Sequence, residues 1–304
     1  MDSETRPPAA VDSQQARRIL QRTSGKTTGP ITRLASPSDI GQLIKPFVLL
    51  DYAELDLPSP IDARLHPHSG IATLTTLVGG SLHFQDSNGQ PRSVMDGGVE
   101  WMQAGRGIWH GGSVSSTGTA RMYQLWIGLP PPLELSAPSQ MFLRPEDVPS
   151  DGPAHVLLGS LNGRASPICE PQPITYLHVR LREGENWRYT PPAGHDVLWI
   201  SLYSGSLDAG EHVSEGELAI FEQSERSVDF VASANCGFVL GSAAHSPFDL
   251  VEGYYSVHTN TAALQYGEAE IRRLGAQLCV DGRLAPEQAA RVERQMSTMT
   301  GHGQ

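Results

Sequence analysis

Leu65-His66-Pro67-His68-Ser69-Gly70, running on into Ile71-Ala72-Thr73-Leu74-Thr75-Thr76-Leu77-Val78-Gly79-Gly80, decides how the rest of the chain is read. Proline fixes its own φ and pushes the residue before it toward extended backbone, so side chains in the first half alternate in direction. His66 and His68 then project from one side of a strand. The second half is β-branched and apolar and stops at a glycine pair, the pattern of a buried strand ending in a turn. Further on, Gly98-Val99-Glu100-Trp101-Met102 leads through Ala104-Gly105-Arg106-Gly107 to Ile108-Trp109-His110. A third imidazole is available from a different strand.

The composition around this stretch points the same way. With 304 residues, 39% of them hydrophobic, the chain can bury one large core or two ordinary ones. Its 31 Gly and 23 Pro, against 18% charged residues, suit many short strands and tight turns, so the expected class is all-β. A net charge of −11 argues against an electrostatic grip on nucleic acid. Cys169, Cys236 and Cys279 are odd in number and widely spaced, which indicates neither a disulfide framework nor a thiolate zinc site. No apolar signal region and no 18-residue apolar run is found, and the expected location is the cytoplasm, away from membranes. Gly25-Lys26-Thr27 imitates the end of a phosphate-binding loop, but Leu20 stands where its first glycine is required.

In chain order, residues 1–28 read as a loose polar leader with at most a short helix at 14–21. A first β domain is expected over 29–135, with strands at 46–52, 71–78, 81–85 and 121–127, a hairpin turn at Asp86-Ser87-Asn88-Gly89, and an end at Pro130-Pro131-Pro132. After a linker, a second β domain over 150–304 carries strands at 155–158, 174–182, 197–203, 217–221, 228–231 and 237–241. Thr259-Asn260 caps a helix with Ile271, Leu274 and Leu278 at helical spacing, and Pro286 opens another with Ala289, Val292 and Met296. This helical tail is expected to pack across a domain surface. Residues 72–82 line up with 197–207, and at the same offset His66 and His68 meet Pro191 and Ala193. The second half reads as a copy of the first without its histidines.

Pro46-Phe47-Val48-Leu49-Leu50-Asp51, His66-Pro67-His68-Ser69-Gly70, the run from Glu100 to His110, Gln124-Leu125-Trp126 and Thr259-Asn260 together give a sequence that resembles the pirin family of double cupins. The match is close over 46–129 and looser to about 278. The resemblance implies a bicupin, two jelly-roll β-barrels face to face, with a mononuclear iron site in the first only. It also implies a cytoplasmic or nuclear protein that acts as a metal-dependent co-regulator or a flavonol-cleaving dioxygenase. As metal ligands it carries over His66, His68 and His110. The family's His-x-Glu ligand is not kept, since Gly112 stands there, and the glutamate that cupins place four residues after the second histidine is Ala72.

Three imidazoles on one side of a divalent metal, Fe(II) as the resemblance implies, leave positions open for a chelating small molecule and dioxygen. Without a carboxylate the dication favours anionic partners such as a flavonolate or another enediol. Glu100 reads either as a source of that missing charge or as plain surface. Trp101, Trp109 and Trp126 either line a pocket or pack the core, and packing is the expected role. His83, His155, His178, His195 and His212 read as structural. The competing reading keeps the three histidines as loop-orienting groups in a non-catalytic, protein-partner-binding scaffold. Because ligands must be neutral, metal is expected to leave as pH falls through the ordinary histidine range near 6.5.

Overall fold

The computed structural model describes residues 17–62, 64–85 and 91–300. Its β-branched and apolar runs build two antiparallel sheets of one plan. In spatial order the first sheet is Ser139–Leu143, Val99–Gln103, Ile71–Gln85, Ser113–Gly128, Phe47–Asp56, Ile31–Ala35 and Lys26–Thr28. The second is Ile19–Thr23, Leu218–Phe221, Val197–Ser204, Cys236–Ala243, Ile174–Leu181, Ala154–Leu158 and Ser150–Asp151. Smaller sheets complete two barrels: the ribbon of His66–His68 with Ile108–His110 in the first, and Asn186–Tyr189, Val228–Ala232, Ser206–Asp208 and His212–Ser214 in the second. The protein is thus the expected all-β pair of barrels.

Alternation gives each large sheet two unlike faces. One face of each joins a shared apolar layer in which Leu74, Trp101 and Leu125 meet Trp199, Tyr176 and Val239, so the barrels stand face to face. Phe47 meets Trp199 edge-on at 5.2 Å, and Tyr123 donates to the Ser201 carbonyl at 3.2 Å. Burying side chains of this size stabilises the pairing by about 1.5–3 kcal/mol each. The repeat read from sequence has a structural counterpart in its glycines. Gly80 and Gly205 have φ of +71° and +70°, and a Cβ there would stand 2.5 Å from the Thr119 carbonyl oxygen and 2.1 Å from that of Asn235. Only glycine fits where these strands bend.

Four expectations are corrected. The described part of the leader is paired strand and not loose or helical, because Ile19–Thr23 runs along Leu218–Phe221 of the second barrel and Lys26–Thr28 along the first. Arg17 fixes this crossing by donating from Nε to the Glu222 carbonyl at 2.8 Å. The linker contains the edge strand Ser139–Leu143. The strand ending at Gly128 begins at Ser113, well before its apolar part. Three short strands of the second barrel, Asn186–Tyr189, Ser206–Asp208 and His212–Ser214, were not expected. The turn at 86–89 lies outside the described residues, although the strands flanking it pair.

The chain ends in α1 (Thr261–Val280), capped by Asn260 Oδ1 accepting from the Ala263 amide at 2.9 Å, and α2 (Pro286–Thr300). Both follow the second barrel in sequence but pack on the first. Trp109, on the outer side of the histidine ribbon, sits among Ile271, Leu284, Val292 and Met296 and donates from Nε1 to the Ile271 carbonyl at 2.9 Å. Among the described residues no helix is long and apolar enough to cross a membrane.

Candidate metal centre

The ribbon explains how three histidines meet. Its register sets His110 opposite His66 and Trp109 opposite Pro67, so alternation turns all three imidazoles inward and Trp109 out toward the helices. Ring centroids are 4.4 Å apart for His66 and His110, and 5.1 Å for each pair with His68. One nitrogen from each ring lies within 4.8 Å of the others.

Hydrogen bonds fix the orientation of two rings. His66 Nδ1 lies 3.1 Å from the Arg64 carbonyl and His68 Nδ1 2.9 Å from the Tyr255 carbonyl. Donation through Nδ1 leaves each Nε2 lone pair free for a cation. His110 Nε2 is buried and has no hydrogen-bond partner among the described residues. An unmet buried polar atom costs about 1–3 kcal/mol, so a ligating role fits this nitrogen better than a packing one. Burial lowers the pKa of all three rings. For His68 burial, then the His66 charge, brings it to about 3, and His110 falls well below the usual value. The rings are neutral at pH 7, the form in which an imidazole can ligate a cation.

A cavity of about 540 Å³ adjoins the cluster, lined by His66, His68 and His110 together with Leu49, Thr73, Gln124, Trp126, Tyr254 and Tyr255. Trp126 stands 4.8 Å from His68, centroid to centroid, and so lines the pocket, whereas Trp101 and Trp109 are packed in apolar layers. Arg33 and Asp51, also on the wall, pair at 2.9 Å through both oxygens. No carboxylate joins the histidine group among the described residues. Ala72 lies in the layer between the barrels, and it is Thr73 beside it that faces the cavity.

Glu100 is neither surface nor part of the histidine group. It is largely buried, opposite Thr75 on the neighbouring strand, and burial pushes its carboxyl up to about 7. Ser69, next to His68, is locked by His258 Nε2 at 2.9 Å, and His258 Nδ1 meets Glu134 at 3.1 Å. This Ser-His-Glu line is fully buried and ties the segment before α1 to the residue after the His66–His68 strand, leaving no room for a substrate. His83, His178 and His195 hold hydrogen bonds away from the cluster, as expected of structural groups. Tyr254 and Tyr255 were missed by sequence reasoning because they arrive from a segment remote in the chain. Gln124 and Asp51 become visible only once strand register shows which side chains share the inner face.

Comparison with known proteins gives a consistent family. The Pirin family model matches residues 30–127. A Pseudomonas aeruginosa protein provisionally named quercetin 2,3-dioxygenase is 30% identical over 67% of this chain and 77% of its own. A pirin-like protein of Caulobacter vibrioides is 30% identical over 67% and 79%. Among solved structures, quercetin 2,3-dioxygenase from Acinetobacter baumannii superposes with a TM-score of 0.77 at 20% identity, covering 85% of this chain and 98% of that one. A bacterial pirin from Escherichia coli in complex with nickel(II) gives a TM-score of 0.59 at 18% identity, over 76% and 99%. At these identities the structural matches speak for the fold.

Proposed function

The chain belongs to the pirin family, and from that premise we propose that it binds a divalent metal, Fe(II) in the first instance, through His66, His68 and His110 and acts as a dioxygenase on a chelating flavonol-like or other enediol substrate. The observation that carries this reading is the buried, unpartnered His110 Nε2 turned toward two further imidazoles whose Nδ1 atoms are already engaged. Bound there, the metal would supply coordination positions for an enediol and dioxygen together.

The protein's own contribution is arrangement. The Arg64 and Tyr255 carbonyls hold the tautomers of His66 and His68, and Trp109 anchors the ribbon from behind. Three neutral donors leave the cation's charge unbalanced, which favours an anionic chelator over water. Trp126, Tyr254 and Tyr255 give flat apolar walls suited to aromatic rings. Metal analysis followed by oxygen uptake with flavonols tests the proposal. Turnover that requires metal and vanishes in His68→Ala supports it, and an iron-supplied protein that stays inert contradicts it.

One observation favours a second reading. The absence of a carboxylate from the histidine group among the described residues, with Gly112 at the family's glutamate position, suits a conformational metal site in a non-catalytic, partner-binding protein. Metal-dependent partner binding without oxygen uptake would select it.

A further inference from the structure

The C-terminal helix reaches the histidine ribbon through two glutamines. Gln288 and Gln295 stand two turns apart on α2, which puts them on one face and about 10 Å from each other along its axis. Gln288 Nε2 donates to the carbonyl of Leu65, the residue before His66, at 2.6 Å. Gln295 Oε1 accepts from the Tyr255 hydroxyl at 2.6 Å, while its Nε2 donates to the Tyr254 hydroxyl at 3.0 Å. These are the segments that orient the rings. The Arg64 carbonyl, one residue before Leu65, lies 3.1 Å from His66 Nδ1, and the Tyr255 carbonyl lies 2.9 Å from His68 Nδ1. Each glutamine thus grips the stretch of chain that holds one imidazole.

Packing leaves this side of the ribbon unfilled. Val292 and Met296 of α2 are buried in the cluster around Trp109, but a cavity of about 360 Å³ remains between the helix and the ribbon, lined in part by Leu65, His66, Tyr255, Gln288 and Gln295. With no apolar side chain wedged there, directed hydrogen bonds fix where Leu65 and Tyr255 stand. From this geometry we infer that Gln288 and Gln295 are positioning residues, by which α2 sets the tautomer and aim of His66 and His68 respectively. The inference rests on the proposed reading of His66, His68 and His110 as metal ligands. A carbonyl that drifts from Nδ1 no longer holds the proton on that nitrogen, and the ring then spends part of its time with N–H where the cation needs a lone pair. Metal affinity falls while the barrels stay folded.

The test pairs two measurements on the full chain: titration with cobalt(II), and nitrogen-15 NMR of the imidazoles in the metal-free protein at pH 7. Gln288→Leu and Gln295→Leu are each expected to bind cobalt about tenfold more weakly, the lower end of what outer partners of metal ligands contribute. Gln295→Glu is expected to stay within about threefold of the parent, because both tyrosine hydroxyls can donate to a carboxylate. Gln288→Glu is expected to be as weak as Gln288→Leu, since a carboxylate has nothing to donate to the Leu65 carbonyl. An added charge acts alike at both positions, so this contrast separates positioning from electrostatics. In the NMR spectra Gln288→Leu should move His66, and Gln295→Leu His68, from the Nδ1–H tautomer toward a mixture, a selectivity that general loosening does not produce. Parental affinity or unchanged tautomers in both leucine variants, or glutamate acting alike at the two positions, overturns the inference. If the parent binds no cobalt, the metal reading fails instead, and the tautomers alone decide for or against the two glutamines.

Discussion

One row of side chains crosses the inner face of each large sheet at the same level. In the first barrel it reads Arg33, Asp51, Gln124, Thr75 and Glu100, each opposite the next. In the second it reads Val156, Leu177, Leu240, Ile200 and Ala219. Strand order is the same and interior chemistry is opposite. All five residues of the second row belong to one filled core with Tyr189, Phe230 and Phe238, while the first row lies under a cavity of about 540 Å³. The ribbons differ likewise. Where the first has histidines facing each other, the second pairs Trp187 with Phe230, their rings stacked at 5.8 Å. Polar groups inside a barrel cost stability unless satisfied, so the second core and the shared apolar layer carry the fold and leave the first interior open for a site.

The comparison breaks most decisively at the histidines. On the proposed reading, His68→Ala or His110→Ala is expected to abolish retention of the roughly one equivalent of metal that three imidazoles would hold, with circular dichroism unchanged; elemental analysis after dialysis reads it. Exchanging the character of the two rows comes next. Ile200→Thr should cost about 3 kcal/mol in denaturant unfolding, through lost packing and an unmet hydroxyl, whereas Thr75→Val in the first row should cost about 1 kcal/mol or less.

A smaller effect concerns His178, a buried imidazole on the second large sheet. His178 Nε2 meets the Tyr203 hydroxyl at 2.7 Å, and burial lowers its pKa to about 3, far below the unfolded value near 6.5. In that window the unfolded chain binds more protons, so the stability due to His178 is full above about pH 6.5 and declines as pH falls toward about 3. His178→Gln should flatten this acid limb by up to about 1.4 kcal/mol per pH unit, measured by unfolding at a series of pH values. Smallest of all is the ion pair joining the barrels. Arg180 holds Asp96 at 2.7 and 2.9 Å, but both are about half exposed, so Asp96→Asn should cost about 0–1 kcal/mol.

Much of this was legible in the sequence. Pro67 between two histidines gave their common side, the apolar strand to Gly80 gave its buried neighbour, and the 72–82 and 197–207 match anticipated twin sheets in which Thr75 and Ile200 take equivalent places. The limits have physical causes. A constant offset put Pro191 and Ala193 against the histidines, but the strand pairing like theirs is Asn186–Tyr189, because loops between repeats differ in length. Local pattern does not say which sheet an edge strand joins, so the strand at Ile19 was missed. Tyr255, which orients His68, is separated from it by most of the chain, and Glu100 looked like surface until register turned it inward.

The most direct measurement is anomalous diffraction at the iron edge from crystals supplied with iron(II). The account predicts one peak, about 2.1 Å from a nitrogen of each of His66, His68 and His110. Rings splayed around ordinary water with no anomalous signal, or a peak held by other residues, would contradict it.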